Sequence, residues 1–372
     1  MFLKEIKINS LETELVVESV MNAESSFFTE METYMMGLLR YGVLDEKLTK
    51  LIPSGQVDWD GMMNIASEHG ILALVWDGIC KLPKEYRPSR QHSINWGLSA
   101  QEVWDRYAHY KQVLGKILDV CRKNNIKLLL FKGIAQSELY PKPESRPFGD
   151  IDIYLFEDYV RGDELFAQDR VTKSNKRTGF YYEGVHIENH RIFLNAYTEL
   201  QKNVIAFLEE SLKDATITKD GYYIMSPIAN IIYQMMHFLA HAMDVSDPVT
   251  LRAVIDFGIT LKHYSGQIDI IEFEKILSQL KLYKLFSMMV GLSEMILGIS
   301  FTVYSHNLIP YRDIRRLLSL IMMDKSLFPV PKQNFMTRVT FYMDNYQKYN
   351  TLFKYVPEMR KRFIRKALSV IF

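Results

Sequence analysis

Residues 126–194 interrupt a chain otherwise patterned for helices, and that interruption limits the folds open to it. Ile126 to Phe131 (IKLLLF) is a short continuous apolar run, as expected of a buried strand. Gly133 to Leu139 reads as a short helix. Tyr140 to Gly149 holds three prolines and a glycine and must be a loop. Asp150 to Leu155 alternates polar and apolar residues, the pattern of a half-buried strand. Thr178 to Tyr182 and Val185 to Leu194 form a second strand pair, joined by Glu183-Gly184, which suits a two-residue turn.

Helical spacing dominates on either side. Phe27 to Tyr41 puts Phe28, Met31, Met35, Leu38 and Leu39 on one stripe. Asp58 to Cys80 repeats the pattern as one expected helix, with Asp58 or Asp60 as its cap, and Ser99 to Asn124 is a longer one. From about Ala196 the chain reads as helix to its end. Pro227–His241, Leu251–His263, Ile271–Leu280 and Tyr283–Leu297 are the clearest segments, and basic Met359–Ile371 reads as a terminal helix. The expected class is α+β, with a small mixed sheet flanked by N-terminal and C-terminal helical regions. The expected division is 1–125, 126–225 and 226–372.

Composition narrows the function classes. Of 372 residues, 48% are hydrophobic, enough for a sizeable core. A formal net charge of +1 argues against a global grip on nucleic acid, while leaving a local basic groove open. Cys80 and Cys121 are the only cysteines, so no disulfide framework is expected and a reducing cytoplasm is the simplest compartment. Met1 to Ser10 lacks the apolar core of a secretory signal. No membrane span is expected, because the most apolar stretch, Leu285 to Tyr304, carries Glu294 in its middle.

The chemistry concentrates in the strand island. In a strand, Asp150 and Asp152 point to one face while Ile151 and Ile153 point to the other. Two adjacent carboxylates repel unless a cation bridges them, and hard oxygen donors suit Mg²⁺ or Mn²⁺. Read alone, a bare Asp-x-Asp more often marks the solvent-exposed face of an edge strand. Upstream, Lys132-Gly133 sits between a strand and a helix start, where glycine permits close backbone approach and a lysine can meet phosphate. Downstream, His186, Glu188 and His190 share one face, so Glu188 can supply a third carboxylate. A zinc site built on the two histidines lacks further ligands. His237 and His241 share a helix face, but Phe238 stands where a zinc protease needs glutamate.

The stretches LLLFKGIAQSELYP, RPFGDIDIYL and GVHIENH resemble, in that order, the uncharacterised nucleotidyltransferase family of the polymerase-beta-like superfamily. The resemblance spans Leu128 to Asn195, extends to His237, His241, Arg252 and Asp256, and leaves about the first hundred residues uncovered. It implies the minimal nucleotidyltransferase fold, with Asp150, Asp152 and Glu188 as catalytic metal ligands for Mg²⁺ or Mn²⁺. Lys132, Gly133, Arg146 and Ser137 are then expected at the nucleotide phosphates. His190, His237 and His241 are expected near the acceptor. The implied partners are ATP or another NTP and an acceptor hydroxyl or amine, a small molecule being favoured over nucleic acid. Two departures stand out: Ile134 follows Gly133 where the superfamily places serine or glycine, and the third carboxylate is glutamate. The second reading is therefore a nucleotide-binding or regulatory module without turnover, as in a toxin–antitoxin or defence system.

Overall fold

The computed structural model describes residues 29–44, 53, 55–243, 249–301, 309–323 and 335–371. Met1 to Ser10 and the expected helix start at Phe27 and Phe28 lie outside them. The chain forms two compact units, one of Gly37–Ala196 with Asn203–Asn230, the other of Met1–Met36, Tyr197–Lys202 and Ile231–Phe372. Its class is α+β, and no helix among the described residues is long and apolar enough to cross a membrane.

The first unit contains a seven-stranded mixed sheet in the order β3-β4-β5-β2-β1-β7-β6. The strands are β1 (Leu129–Leu130), β2 (Ile151–Tyr154), β3 (Asp169–Lys173), β4 (Arg177–Tyr182), β5 (Val185–His190), β6 (Thr216–Ile217) and β7 (Tyr223–Ile224). Strands β4 and β5 are an antiparallel hairpin. Glu183 and Gly184 both take positive φ, as a tight hairpin turn demands. Strand β2 lies parallel to β5, with Asp152 opposite Glu188 and Ile151 opposite Ile187.

That register sorts the two faces. Ile151, Ile153, Val185 and Ile187 join Leu128, Leu130 and Phe180 in a core completed by Val113, Leu114, Ile117, Leu118 and Cys121 of α4 (Arg90–Lys123). Phe166 of α6 (Tyr159–Phe166) packs into the same core, and Asn189 ties that helix down by donating to Tyr159 O (3.0 Å) and Asp163 Oδ1 (2.9 Å). With period two, burying the isoleucines turns Asp152, Glu188 and His190 to the opposite face.

The expected helix over Asp58–Cys80 is two helices, α2 (Trp59–Glu68) and α3 (Leu72–Lys81), after α1 (Glu30–Leu44). The break falls at Gly70, whose φ of +63° leaves helical geometry. Asp58, not Asp60, caps α2, its Oδ1 accepting from Gly61 N at 2.9 Å. Helix α4 starts at Arg90, nine residues before the expected Ser99, because Ser89 caps it by accepting from His92 N. The long apolar run Ile126–Phe131 contributes only Leu129–Leu130 to the ladder. Strands β3, β6 and β7 were not legible. Strand β7 follows α7 (Glu199–Glu210) in what reads as helical territory, and it joins the sheet as Tyr223 N donates to Leu128 O (2.7 Å).

The second unit is helical. Helix α8 (Pro227–Met243) enters it from Ile231, and α9 (Leu251–Tyr264), α10 (Ile270–Gln279) and α11 (Tyr283–Leu297) follow within a residue or two of the expected ranges. Helices α9 and α11 pack closely at Gly258, where a Cβ would stand 3.0 Å from Ser293 Cβ. Helices α12 (Tyr311–Met323), α13 (Phe335–Tyr355) and α14 (Pro357–Ile371) complete it. Lys354 donates to Asp313 there at 2.7 Å.

Candidate active site

The site grows from the Lys132-Gly133 turn and from the polar face of β2 and β5. Gly133 adopts φ 50°, ψ −112°, a conformation open to glycine, and caps the short helix α5 (Ile134–Ser137). A Cβ there would lie 3.1 Å from Asp150 O, so the missing side chain lets the turn abut the start of β2. That closeness carries Lys132 onto Asp152, Nζ donating to Oδ1 at 2.8 Å. The turn is braced from within: Gly133 O accepts from Ser137 Oγ (3.0 Å) and Arg146 Nη1 (3.2 Å). Both side chains are buried.

Glu188 and His190 reach the same point from β5. His190 is fully buried, and its Nε2 lies 2.7 Å from Asp152 Oδ1 and 3.2 Å from Glu188 Oε2. Ionised carboxylates only accept, so Nε2 carries the proton and donates to both. Nδ1 is buried with no hydrogen-bond partner among the described residues, while Phe131 presents an edge-on ring at 5.0 Å. Arg177 Nε contacts Glu188 Oε1 at 2.9 Å.

Ligand atoms of Asp150, His186 and Glu188 lie within 4.8 Å of one another, as do those of Asp152, Glu188 and His190. Glu188 belongs to both groups, so all three carboxylates meet. Three carboxylates, with the His186 imidazole beside Asp150 and Glu188, form a donor set that fits a divalent cation, while the protonated His190 Nε2 braces two of the carboxylates.

The carboxylates are electrostatically unequal. Burial, then the neighbouring Asp152 charge, pushes Asp150 up to about 6 against the pull of Lys132. Asp152 is more deeply buried, which alone would raise it, yet Lys132 and His190 hold it well below the usual carboxylate range. Asp150 makes no hydrogen bond or ion pair of its own among the described residues. The folded protein therefore holds one carboxylate firmly ionised and another under electrostatic strain that a cation would relieve.

Residues 55–298 match the family described as "Uncharacterised nucleotidyltransferase", well over half of the chain. The chain belongs to this nucleotidyltransferase family. No curated protein and no solved structure matches it. The matched span opens at residue 55, so α2, α3 and α4 belong to the family unit and the resemblance extends upstream of the motifs that first carry it.

In this member of the nucleotidyltransferase family, the site contains two cations that spacing did not single out. Arg177 begins β4, opposite His190, and Lys176 precedes it. Burial, then the nearby Lys132 and Arg177 charges, lowers the Lys176 ammonium to about 8 against the pull of Asp152 and Glu188. The only sequence signal was a basic pair at a hairpin strand whose partner carries Glu188. His237 and His241 lie on α8 in the second unit, their Nε2 atoms 3.1 Å apart.

Proposed function

We propose that this protein transfers a nucleoside monophosphate from an NTP to an acceptor hydroxyl or amine, releasing pyrophosphate. The observation that carries the reading is the meeting of Asp150, Asp152 and Glu188 across β2 and β5 in a member of a nucleotidyltransferase family. Bound Mg²⁺ or Mn²⁺ would supply bridging to the phosphates and offset charge developing in the transition state. Asp150, Asp152 and Glu188 would hold it. His190 orients Asp152 and Glu188 through one shared N–H, a positioning role. Lys132, which donates to Asp152, would also neutralise phosphate charge. Such catalysis is chiefly positioning and electrostatic stabilisation.

The second reading, nucleotide binding without turnover, draws on Ser137. Its hydroxyl turns inward to Gly133 O, and Ile134 follows the glycine, so the turn offers phosphate no free hydroxyl.

The test is calorimetry with each of the four NTPs, with and without Mg²⁺ or Mn²⁺, alongside pyrophosphate release across an acceptor panel. Metal should strengthen NTP binding, and Asp152→Asn should remove most of that coupling, because asparagine keeps the shape but loses the charge. Equal metal dependence in both proteins refutes the assignment. Tight binding without pyrophosphate release selects the second reading.

A further inference from the structure

We propose that Lys176 and Arg177 form the grip for the pyrophosphate end of the nucleotide. The inference rests on the nucleotide reading above and adds the residues that hold the leaving group.

The hairpin places the pair. Lys176 O accepts from Arg191 N at 2.9 Å, and Arg177 lies opposite His190. The β4–β5 ladder thus holds Arg177 beside the carboxylates, and Lys176, which closes the β3–β4 turn, is anchored to β5 through its carbonyl. Arg177 already spans to Glu188 through Nε, and its planar fork matches phosphate oxygens as well as carboxylate oxygens.

Lys176 is the more telling residue. Its side chain makes no hydrogen bond or ion pair among the described residues, although it is half-buried and stands near the Lys132 and Arg177 charges as well as those of Asp152 and Glu188. A partly desolvated ammonium near two other cations is unfavourable by itself. Such arrangements persist where a ligand supplies the opposite charge.

Charge counting points to the same ligand. Asp150, Asp152 and Glu188 face Lys132, Lys176 and Arg177, three carboxylates against three cations. A divalent ion on the carboxylates leaves the site net positive, and it competes with Lys132 and Arg177 for the oxygens they now hold. A polyphosphate resolves both conflicts by accepting the released cations while it shares the metal. The Lys132-Gly133 turn does not replace this grip, since the Ser137 hydroxyl is spent on Gly133 O.

The experiment is calorimetry on the full-length protein with Mg²⁺, using inorganic pyrophosphate, the four NTPs and the matching nucleosides. The variants are Lys176→Met, Arg177→Met and, as a control on exposed β3, Lys173→Met. Lys176→Met and Arg177→Met should each weaken pyrophosphate and NTP binding about tenfold or more, the loss expected of one charge-assisted hydrogen bond. Nucleoside binding and the Lys173→Met variant should be unchanged. Unchanged pyrophosphate affinity in Lys176→Met overturns the grip, and so does an equal loss in Lys173→Met, which would mean diffuse attraction. Wild-type protein that binds NTP as its variants do sinks the grip alone. Pyrophosphate binding that depends on Lys176, with no NTP bound, keeps the grip and sinks nucleotidyl transfer. Wild-type protein that binds neither ligand sinks both.

Discussion

Replacing Asp150 by asparagine should make the metal-free protein more stable, although it removes a proposed metal ligand. In the folded chain this carboxyl titrates near 6 instead of 3.8, because burial and the Asp152 charge oppose its ionisation. A raised carboxyl costs the fold nothing while protonated and destabilises it once ionised. Its penalty is absent below about 3.8, grows as pH rises, and is complete above about 6. At about 1.36 kcal/mol per pH unit, a displacement of that size costs about 3 kcal/mol at pH 8 and roughly half that at pH 5. The carboxylates titrate together, so about 1.5–3 kcal/mol is the range to expect at pH 8. The assay is urea unfolding of wild type and Asp150→Asn in EDTA at pH 5 and pH 8. The variant should be the more stable at both, with the larger gap at pH 8. Saturating Mg²⁺ should then stabilise wild type more than the variant, since only wild type keeps the full ligand set. A variant less stable than wild type at pH 8, or a gap that does not change with pH, would refute the reasoning.

Two further outcomes follow from the turn. Lys132→Met should weaken NTP binding by roughly 1.5–3 kcal/mol, the worth of a hydrogen bond to a charged group, and leave nucleoside binding alone; calorimetry at fixed Mg²⁺ checks this, and equal loss for both ligands would signal a distorted pocket instead. Gly133→Ala should cost about 1–3 kcal/mol of stability, measured by urea unfolding, because φ 50°, ψ −112° is hostile to a side chain and the new Cβ would press on Asp150 O.

Much of the site is written in short-range periodicity. Asp150 and Asp152 alternate with Ile151 and Ile153, and His186 and Glu188 with Val185 and Ile187. Burying the apolar members on either strand leaves no choice about where the polar ones point. The helices from Leu251 to Leu297 were equally legible, since each carries an apolar stripe at a 3.6-residue period.

Other features depended on pairing that no local pattern specifies. Nothing in β2 states that its parallel neighbour is β5, thirty-odd residues away, rather than β1 alone, yet only that pairing sets Glu188 beside Asp152. Lys176 and Arg177 read as an ordinary basic pair until the hairpin brings them to Glu188. Ser137 sits at a spacing compatible with phosphate contact, and only the fold shows that its buried hydroxyl donates to Gly133 O. Strands β6 and β7 are two residues each and carry no period to read; the free edge of β1 recruits β7 through Leu128 O. Residue order alone thus determines which face each side chain takes, because that follows from backbone geometry within a few residues. Which faces meet is decided by the tertiary structure, because strand pairing joins segments far apart in the chain and is chosen by burial of the whole sheet.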